Sequence, residues 1–176
     1  MGQMQLVVLY GDLQDTTLTL PLCRTLAALG GVLYCGDGCT AVCGDPGAAG
    51  LRFVLLETER LRSCGAEDTL VICKLGAAFP QSAGFAERLY ALAAAPPPPP
   101  AEGLEWLGCA CGEESTLALS SLREESAVVE LRRTLPLPGG GALEPGEFPV
   151  RLRVPTEGYP LLCCCGVELL FGGGGR

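Results

Sequence analysis

The sequence predicts an α/β fold with a mainly parallel sheet, flanking helices and a smaller antiparallel, β-rich C-terminal part. Two continuous apolar runs, Leu51–Glu57 and Thr69–Lys74, have strand length and lack alternation, which is typical of strands buried on both faces of a parallel sheet. A helical segment follows the first strand and separates it from the next. Near the C-terminus, Ala127–Arg132 and Phe148–Val154 alternate apolar and polar residues, as half-exposed antiparallel strands do.

The N-terminal elements follow one another along the chain. Gln5–Tyr10 is an apolar run of strand length, and Thr17–Leu29 is predicted to be a helix that ends at two glycines. Val32–Cys35 is predicted to be a short second strand, and a Gly- and Cys-rich loop follows it. After the two buried strands, Phe85–Ala95 is predicted to be a helix that stops at Pro96.

The C-terminal elements are shorter. Leu104–Cys109 and Thr116–Leu119 are predicted to be strands. Pro138–Gly141 provides a hairpin-like loop between the two alternating strands. Tyr159–Phe171 is predicted to be the closing helix, with a proline in its first turn and Gly172 just past its end.

The turn after the first strand has a partial phosphate-loop pattern. A working loop, G-x-x-x-x-G-K-[ST], holds phosphate oxygens with backbone N–H groups, the terminal phosphates with its Lys, and Mg²⁺ with its hydroxyl. Here that place is taken by Gly11, Asp12, Leu13, Gln14, Asp15, Thr16 and Thr17. The two threonines supply hydroxyls, but Gln14 replaces the glycine and Asp15 the lysine. Because a carboxylate repels a triphosphate and is a good N-cap, the sequence predicts a vestigial phosphate loop in which Asp15 caps the helix.

At this loop the chain resembles the central, ATP-binding domain of Mur ligases. The stretch V-V-L-Y-G-D-L-Q-D-T-T-L-T-L is similar to that family's first strand, its T-G-T-N-G-K-T-T loop and its helix start. Plasmid-partition ATPases, with G-K-T-T-L-T-L-N-L-A, are nearly as similar over this short stretch. Two later segments favour the Mur ligases: Trp106–Leu122 is similar to a strand that runs into a Gly and a short polar strand, and Gly158–Gly172 resembles the helix N-x-x-N-x-L-A-A-x-x-x-A-x-x-L-G.

The resemblance implies a P-loop/Rossmann-like fold descended from a domain that binds ATP and Mg²⁺. The loop lysine is missing, and the chain has no His or Asn to match those that position Mg²⁺ and substrate in the family. We therefore expect a non-catalytic protein that acts by binding a protein partner or, weakly, a nucleotide. No catalytic residue and no resident cofactor are expected; ATP with Mg²⁺ is the cofactor the loop would take. The alternative is a divergent nucleotide-dependent, ligase-like enzyme.

Five consecutive prolines, Pro96–Pro100, give the clearest boundary because such a run forms a stiff extended spacer. The predicted division is residues 1–95 as a P-loop-like α/β lobe, 96–103 as a Pro-rich linker, 104–171 as a β-rich part with the closing helix of the same fold, and 172–176 as a disordered tail.

Composition limits the classes of partner. Hydrophobic residues make up 48% of the 176, charged residues only 18%, and the net charge is −8. A surface so poor in charge is expected to carry an apolar face covered by a protein partner or by a second copy in a homo-oligomer. The acidic balance argues against nucleic acid. No apolar run has the roughly 20 residues of a membrane span, and no signal-peptide pattern is present, so we expect a cytoplasmic protein.

Cysteine is abundant, with 11 residues, and most lie inside apolar runs where a thiol acts as a small hydrophobe. Cys35, Cys39 and Cys43 are the exception, because they are spaced C-x₃-C-x₃-C in a Gly-rich loop. With Cys109 or Cys111 they would give the four thiolates of a zinc or iron–sulfur site, although the spacing matches no standard pattern. Chance clustering in a cysteine-rich chain is the favoured explanation of this spacing, so no metal site is predicted. A metal or redox protein is the less favoured hypothesis.

Overall fold

The computed structural model describes residues 4–44, 50–80, 84–85, 88–96, 102–109 and 115–173. The strands are β1 (Gln5–Tyr10), β2 (Gly31–Gly36), β3 (Cys39–Cys43), β4 (Leu51–Thr58), β5 (Ser63–Cys64), β6 (Thr69–Cys73), β7 (Gly84–Phe85), β8 (Leu89–Ala93), β9 (Leu104–Gly108), β10 (Leu117–Leu122), β11 (Ser126–Leu131), β12 (Leu135–Pro136), β13 (Ala142–Leu143) and β14 (Gly146–Arg151). The helices are α1 (Thr19–Leu29) and α2 (Gly158–Phe171).

A seven-stranded sheet of order β3-β2-β4-β1-β6-β8-β9 forms the centre of the fold. Its strands pair in parallel except for β3, which is antiparallel to β2. Side chains of β1 enter two separate apolar clusters: Val7 and Leu9 lie on the helix-covered face and Val8 on the other. Both faces are therefore buried, which explains the unbroken apolar runs and confirms the predicted α/β fold with a mainly parallel sheet.

α1 and α2 pack on each other and on the same face of the sheet. α2 is buried on nearly all sides because it lies between the main sheet and a three-stranded antiparallel sheet of order β10-β11-β14. The contact is close at Gly166, where a Cβ would come within 2.9 Å of Leu92 in β8 and 3.3 Å of Leu117 in β10. The predicted smaller antiparallel part is confirmed, and so is the closing helix.

The predicted helix Phe85–Ala95 is wrong. Leu89–Ala93 is instead the strand β8, and all five of its residues are buried between β6 and β9. Helix propensities separate ordinary residues by at most about 0.7 kcal/mol each, whereas burying one large apolar side chain is worth roughly 1.5–3 kcal/mol. Pairing within the sheet therefore overrides the local preference of this Ala- and Leu-rich stretch.

The prediction of a Gly- and Cys-rich loop after β2 is also partly wrong. Cys39–Cys43 is β3, which folds back on β2 and forms one edge of the main sheet. A tight turn at Asp37 and Gly38, both with positive φ, reverses the chain. An edge strand with mixed exposure lacks the apolar run that reveals a buried strand.

Parts of the predicted division lie outside the described residues, namely 97–101 of the Pro-rich linker and 174–176 of the tail. The strands on the two sides of the linker, β8 and β9, are neighbours in the main sheet. The division into residues 1–95 and 104–171 stays a prediction. Neither of the described helices is long and apolar enough to cross a bilayer.

Candidate functional site

The loop after β1 lies at the carboxyl edge of the main sheet, between the ends of β4 and β6. The chain adds β2 and β4 on one side of β1 and β6, β8 and β9 on the other. Open α/β sheets carry ligands at such a switch point. The loop is tied to both neighbours, because the Gly11 N–H donates to the Thr58 carbonyl at 3.1 Å and the Lys74 N–H donates to the Tyr10 carbonyl at 2.8 Å.

The side chain of Lys74, the residue after β6, fills the inside of this loop and is only 1% exposed. Its ammonium donates to the backbone carbonyls of Asp12 and Asp15, both at 2.6 Å, and to Glu57 Oε1 at 2.5 Å. An ammonium has three donors, so these acceptors satisfy it. The close approach requires glycine at position 11, where φ is +142° and a Cβ would lie 2.8 Å from the Lys74 Cβ.

Glu57, near the end of β4, is the shared acceptor of the site. Its side chain is 3% exposed, and its Oε1 also accepts from the Thr19 hydroxyl at 3.0 Å. Its Oε2 accepts from the Tyr34 phenol at 2.5 Å. Burial and the hydrogen bond to Glu57 raise the pKa of Tyr34, so the phenol keeps its proton and acts as the donor. One carboxylate thus joins α1, β2, β4 and Lys74. We call Lys74, Glu57, Tyr34 and Thr19 the polar centre.

The acidic side chains of the loop occupy backbone N–H groups of the loop itself. Asp12 Oδ1 accepts from the Gln14 N–H at 2.9 Å. Asp15 Oδ1 accepts from the Thr17 N–H at 3.0 Å and from the Thr17 hydroxyl at 2.7 Å. The Asp15 N–H donates to the Asp12 carbonyl at 3.1 Å. The hydrogen bonds from Thr17 lower the pKa of Asp15, so this carboxylate is ionised at neutral pH.

The prediction that Asp15 caps the first helix is wrong. α1 begins at Thr19, and its N-cap is Leu18, which makes no side-chain cap bond. A turn closed by the Thr19 N–H and the Thr16 carbonyl, at 3.2 Å, separates Asp15 from the helix. Asp15 instead closes a local turn with Thr17, as Asp side chains do when they bind the backbone two residues on.

The loop is polarised in the sense opposite to a phosphate loop. A phosphate loop points N–H groups inward at an anion, and the helix dipole adds to the attraction. Here two carbonyls point inward at an ammonium, and two carboxylates hold N–H groups that an anion would need. The polar centre is therefore closed and neutralised from within the chain. The vestigial role of residues 11–17 stays a prediction.

Cys35, Cys39 and Cys43 do not face one point. Along the hairpin, Cys43 is opposite Val32 and Cys39 is opposite Gly36, whereas Cys35 is opposite Thr40. Because successive side chains alternate across a strand, Cys39 and Cys43 share one face of the sheet and Cys35 lies on the other.

A fourth thiolate does not reach the hairpin from Cys109, which follows β9 at the opposite edge of the sheet. Cys111 lies outside the described residues. In the part of the chain that the structure describes, no group of three His, Cys, Asp or Glu side chains is placed to hold a metal ion. The geometry therefore contradicts the four-thiolate hypothesis as it was built on Cys35, Cys39 and Cys43.

The sequence does not predict three members of the polar centre, namely Lys74, Tyr34 and Thr19. One indication was available, since Lys74 is the one lysine among 176 residues and directly follows a buried strand. Nothing in the sequence marks Tyr34 or Thr19, because their partner Glu57 is distant along the chain. Asp37, the acidic residue that follows β2, lies apart from the polar centre in the exposed β2–β3 turn.

Neither a protein-family model nor a curated protein sequence matches the chain. Function is therefore inferred from the geometry of the site.

Proposed function

We propose that this protein is a non-catalytic binding protein with a fold like that of the Mur ligase central domain, and that its ligand is another protein. The observation that carries the proposal is the Lys74 ammonium, which fills the loop after β1 and is satisfied by Asp12, Asp15 and Glu57. A phosphate could enter only if that ammonium left. Separating a buried ion pair costs about 3–5 kcal/mol, more than weak nucleotide contacts return.

A protein partner is supported by the surface. Charged residues are few, and seven large apolar side chains in the described residues are each more than 40% exposed: Met4, Leu20, Val42, Leu51, Leu75, Leu119 and Leu122. Covering apolar surface with a partner gains roughly 25 cal/mol per Å². A second copy of the chain is the simplest such partner.

Thermal denaturation with and without 10 mM ATP and Mg²⁺ tests the closed loop. A nucleotide bound with a Kd of about 1 mM would raise the melting temperature by about 3–6 °C at this concentration. We expect less than 1 °C. A rise of 3 °C or more that is absent with Mg²⁺ alone would instead support the nucleotide-dependent, ligase-like enzyme.

The variant Asp15→Lys restores the residue that a phosphate loop needs and serves as the matched test. We expect no gain of ATP affinity by calorimetry, because Lys74 still fills the loop and Asp12 still holds the Gln14 N–H. Millimolar or better binding in this variant would show that the lysine alone was missing. Sedimentation velocity from 1 to 100 µM then measures the oligomeric state. Concentration-dependent association supports a second copy as the partner, and a monomer at every concentration points to a different protein.

A further inference from the structure

Cys23 and Cys43 bring two thiols together where α1 packs on the edge of the main sheet. Cys43 is the last residue of β3 and lies opposite Val32, so both side chains are on the face that α1 covers. Val32 and Cys23 belong to one apolar cluster, and Cys43 packs against it. β3 contacts α1 directly, and Cys43 is close enough to Cys23 to affect the pKa of its thiol.

The packing around the pair is tight. Gly44 follows Cys43, and a Cβ at this glycine would lie 3.2 Å from the Cβ of Ala27. Ala27 is one helical turn beyond Cys23 on α1. The end of β3 and the helix are thus in contact beside the two cysteines.

The two thiols differ in access to solvent. Cys43 is half-buried on an edge strand, whereas Cys23 is 8% exposed. Burial, together with the neighbouring Cys43, raises the pKa of Cys23 to about 12. Cys43 is therefore the thiol that an oxidant in solution meets first.

We propose that Cys23 and Cys43 form a reversible disulfide, which makes the junction of α1 and β3 a redox modification site. The oxidant is a small disulfide such as oxidised glutathione. The Cys43 thiolate attacks one sulfur of the oxidant, forms a mixed disulfide and releases one glutathione thiolate. The Cys23 thiolate then attacks the Cys43 sulfur, forms the protein disulfide and releases the second glutathione. Two protein thiols are oxidised and one disulfide is reduced to two thiols, so electrons and protons balance.

The other cysteines of the hairpin are not placed to replace Cys43. Cys39 shares its face but lies four residues away, about 13 Å along the strand. Cys35 is on the opposite face. These two residues are the matched controls, because they share the hairpin and its exposure to solvent.

The disulfide is read by mass spectrometry of the full-length wild-type protein. The folded protein is incubated with oxidised glutathione at pH 8, quenched in acid, alkylated and digested with trypsin. Cleavage at Arg24 and Arg52 leaves Cys23 alone in residues 1–24 and places Cys35, Cys39 and Cys43 in residues 25–52. We expect a covalent link between these two peptides that reduction removes.

Single Cys→Ser variants show which cysteine of the hairpin forms the disulfide with Cys23. We expect it in Cys35→Ser and Cys39→Ser and not in Cys43→Ser. A disulfide that closes a loop of this length is expected to raise the melting temperature of the oxidised protein by about 6–12 °C, reversed by dithiothreitol. Absence of the link in oxidised wild-type protein overturns the proposal without reference to any variant. A link that survives Cys43→Ser overturns it as well.

Discussion

Replacing Lys74 with Met removes the cation from the polar centre but keeps a side chain of similar length. Glu57 keeps its hydrogen bonds from Tyr34 and Thr19 but loses its counter-charge, and two backbone carbonyls lose their donor. Removing one partner of a buried ion pair costs about 3–5 kcal/mol. In a chain of this length each kcal/mol lowers the melting temperature by about 2–4 °C, so we expect a fall of roughly 6–20 °C.

The cause is isolated by a double-mutant cycle with Glu57→Gln, which keeps the shape of the side chain and one of the two oxygen acceptors that Tyr34 and Thr19 use. Each single variant leaves an uncompensated buried charge, whereas the double variant leaves none. We therefore expect the double variant to be more stable than the sum of the single effects by at least about 2 kcal/mol. Guanidinium unfolding followed by the fluorescence of Trp106, which is buried, measures all four proteins.

Arg153→Met is the matched control, because Arg153 pairs with Glu168 at 3.1 Å but remains 32% exposed. Ion pairs of this kind contribute about 0–1 kcal/mol. If Lys74→Met cost no more than Arg153→Met, or if the effects of Lys74→Met and Glu57→Gln simply added, the internal pairing of the polar centre would be refuted.

Two further substitutions test the loop and its surroundings. Because Thr17 lowers the pKa of Asp15 in the folded protein, ionised Asp15 stabilises the fold above its unfolded pKa of 3.8, and this contribution is lost as the pH falls through the folded pKa. Asp15→Asn should therefore lower the melting temperature at pH 6 and match wild type at acid pH; a constant offset from pH 2 to 7 would contradict this. Gly36→Ala places a Cβ 2.5 Å from the Tyr34 hydroxyl and should cost about 1–3 kcal/mol in guanidinium unfolding, whereas Gly65→Ala meets no atom within 4 Å and should be near neutral. Equal costs would contradict the predicted crowding.

Much of the sheet could be predicted because burial on both faces leaves a trace in the sequence. The runs that became β1, β4 and β6 consist almost wholly of apolar residues, and their ends were placed within a residue or two. Alternation gave β11 and β14, whose apolar positions face α2 and its neighbours. These patterns reflect the local environment of each residue, which is encoded position by position.

The candidate site was only half predictable. The loop at 11–17 was predictable because a Gly-led turn after an apolar strand is a local feature, and Glu57 ends a run that was predicted as a strand. Their partner Lys74 is 17 residues from Glu57 and 59 from Asp15. The lysine reaches both because β4 and β6 lie on either side of β1, and no local pattern encodes that neighbourhood.

The sequence by itself determined the α/β class, the buried parallel strands, the absence of a lysine from the loop after β1 and the role of most cysteines as small hydrophobes. Only the tertiary structure decided that Leu89–Ala93 is a strand, that Cys43 packs against the cluster that contains Cys23, and that Lys74 occupies the loop. The physical reason is the same in each case. Composition and periodicity report how deeply a residue is buried, whereas strand order decides which distant residues are buried together.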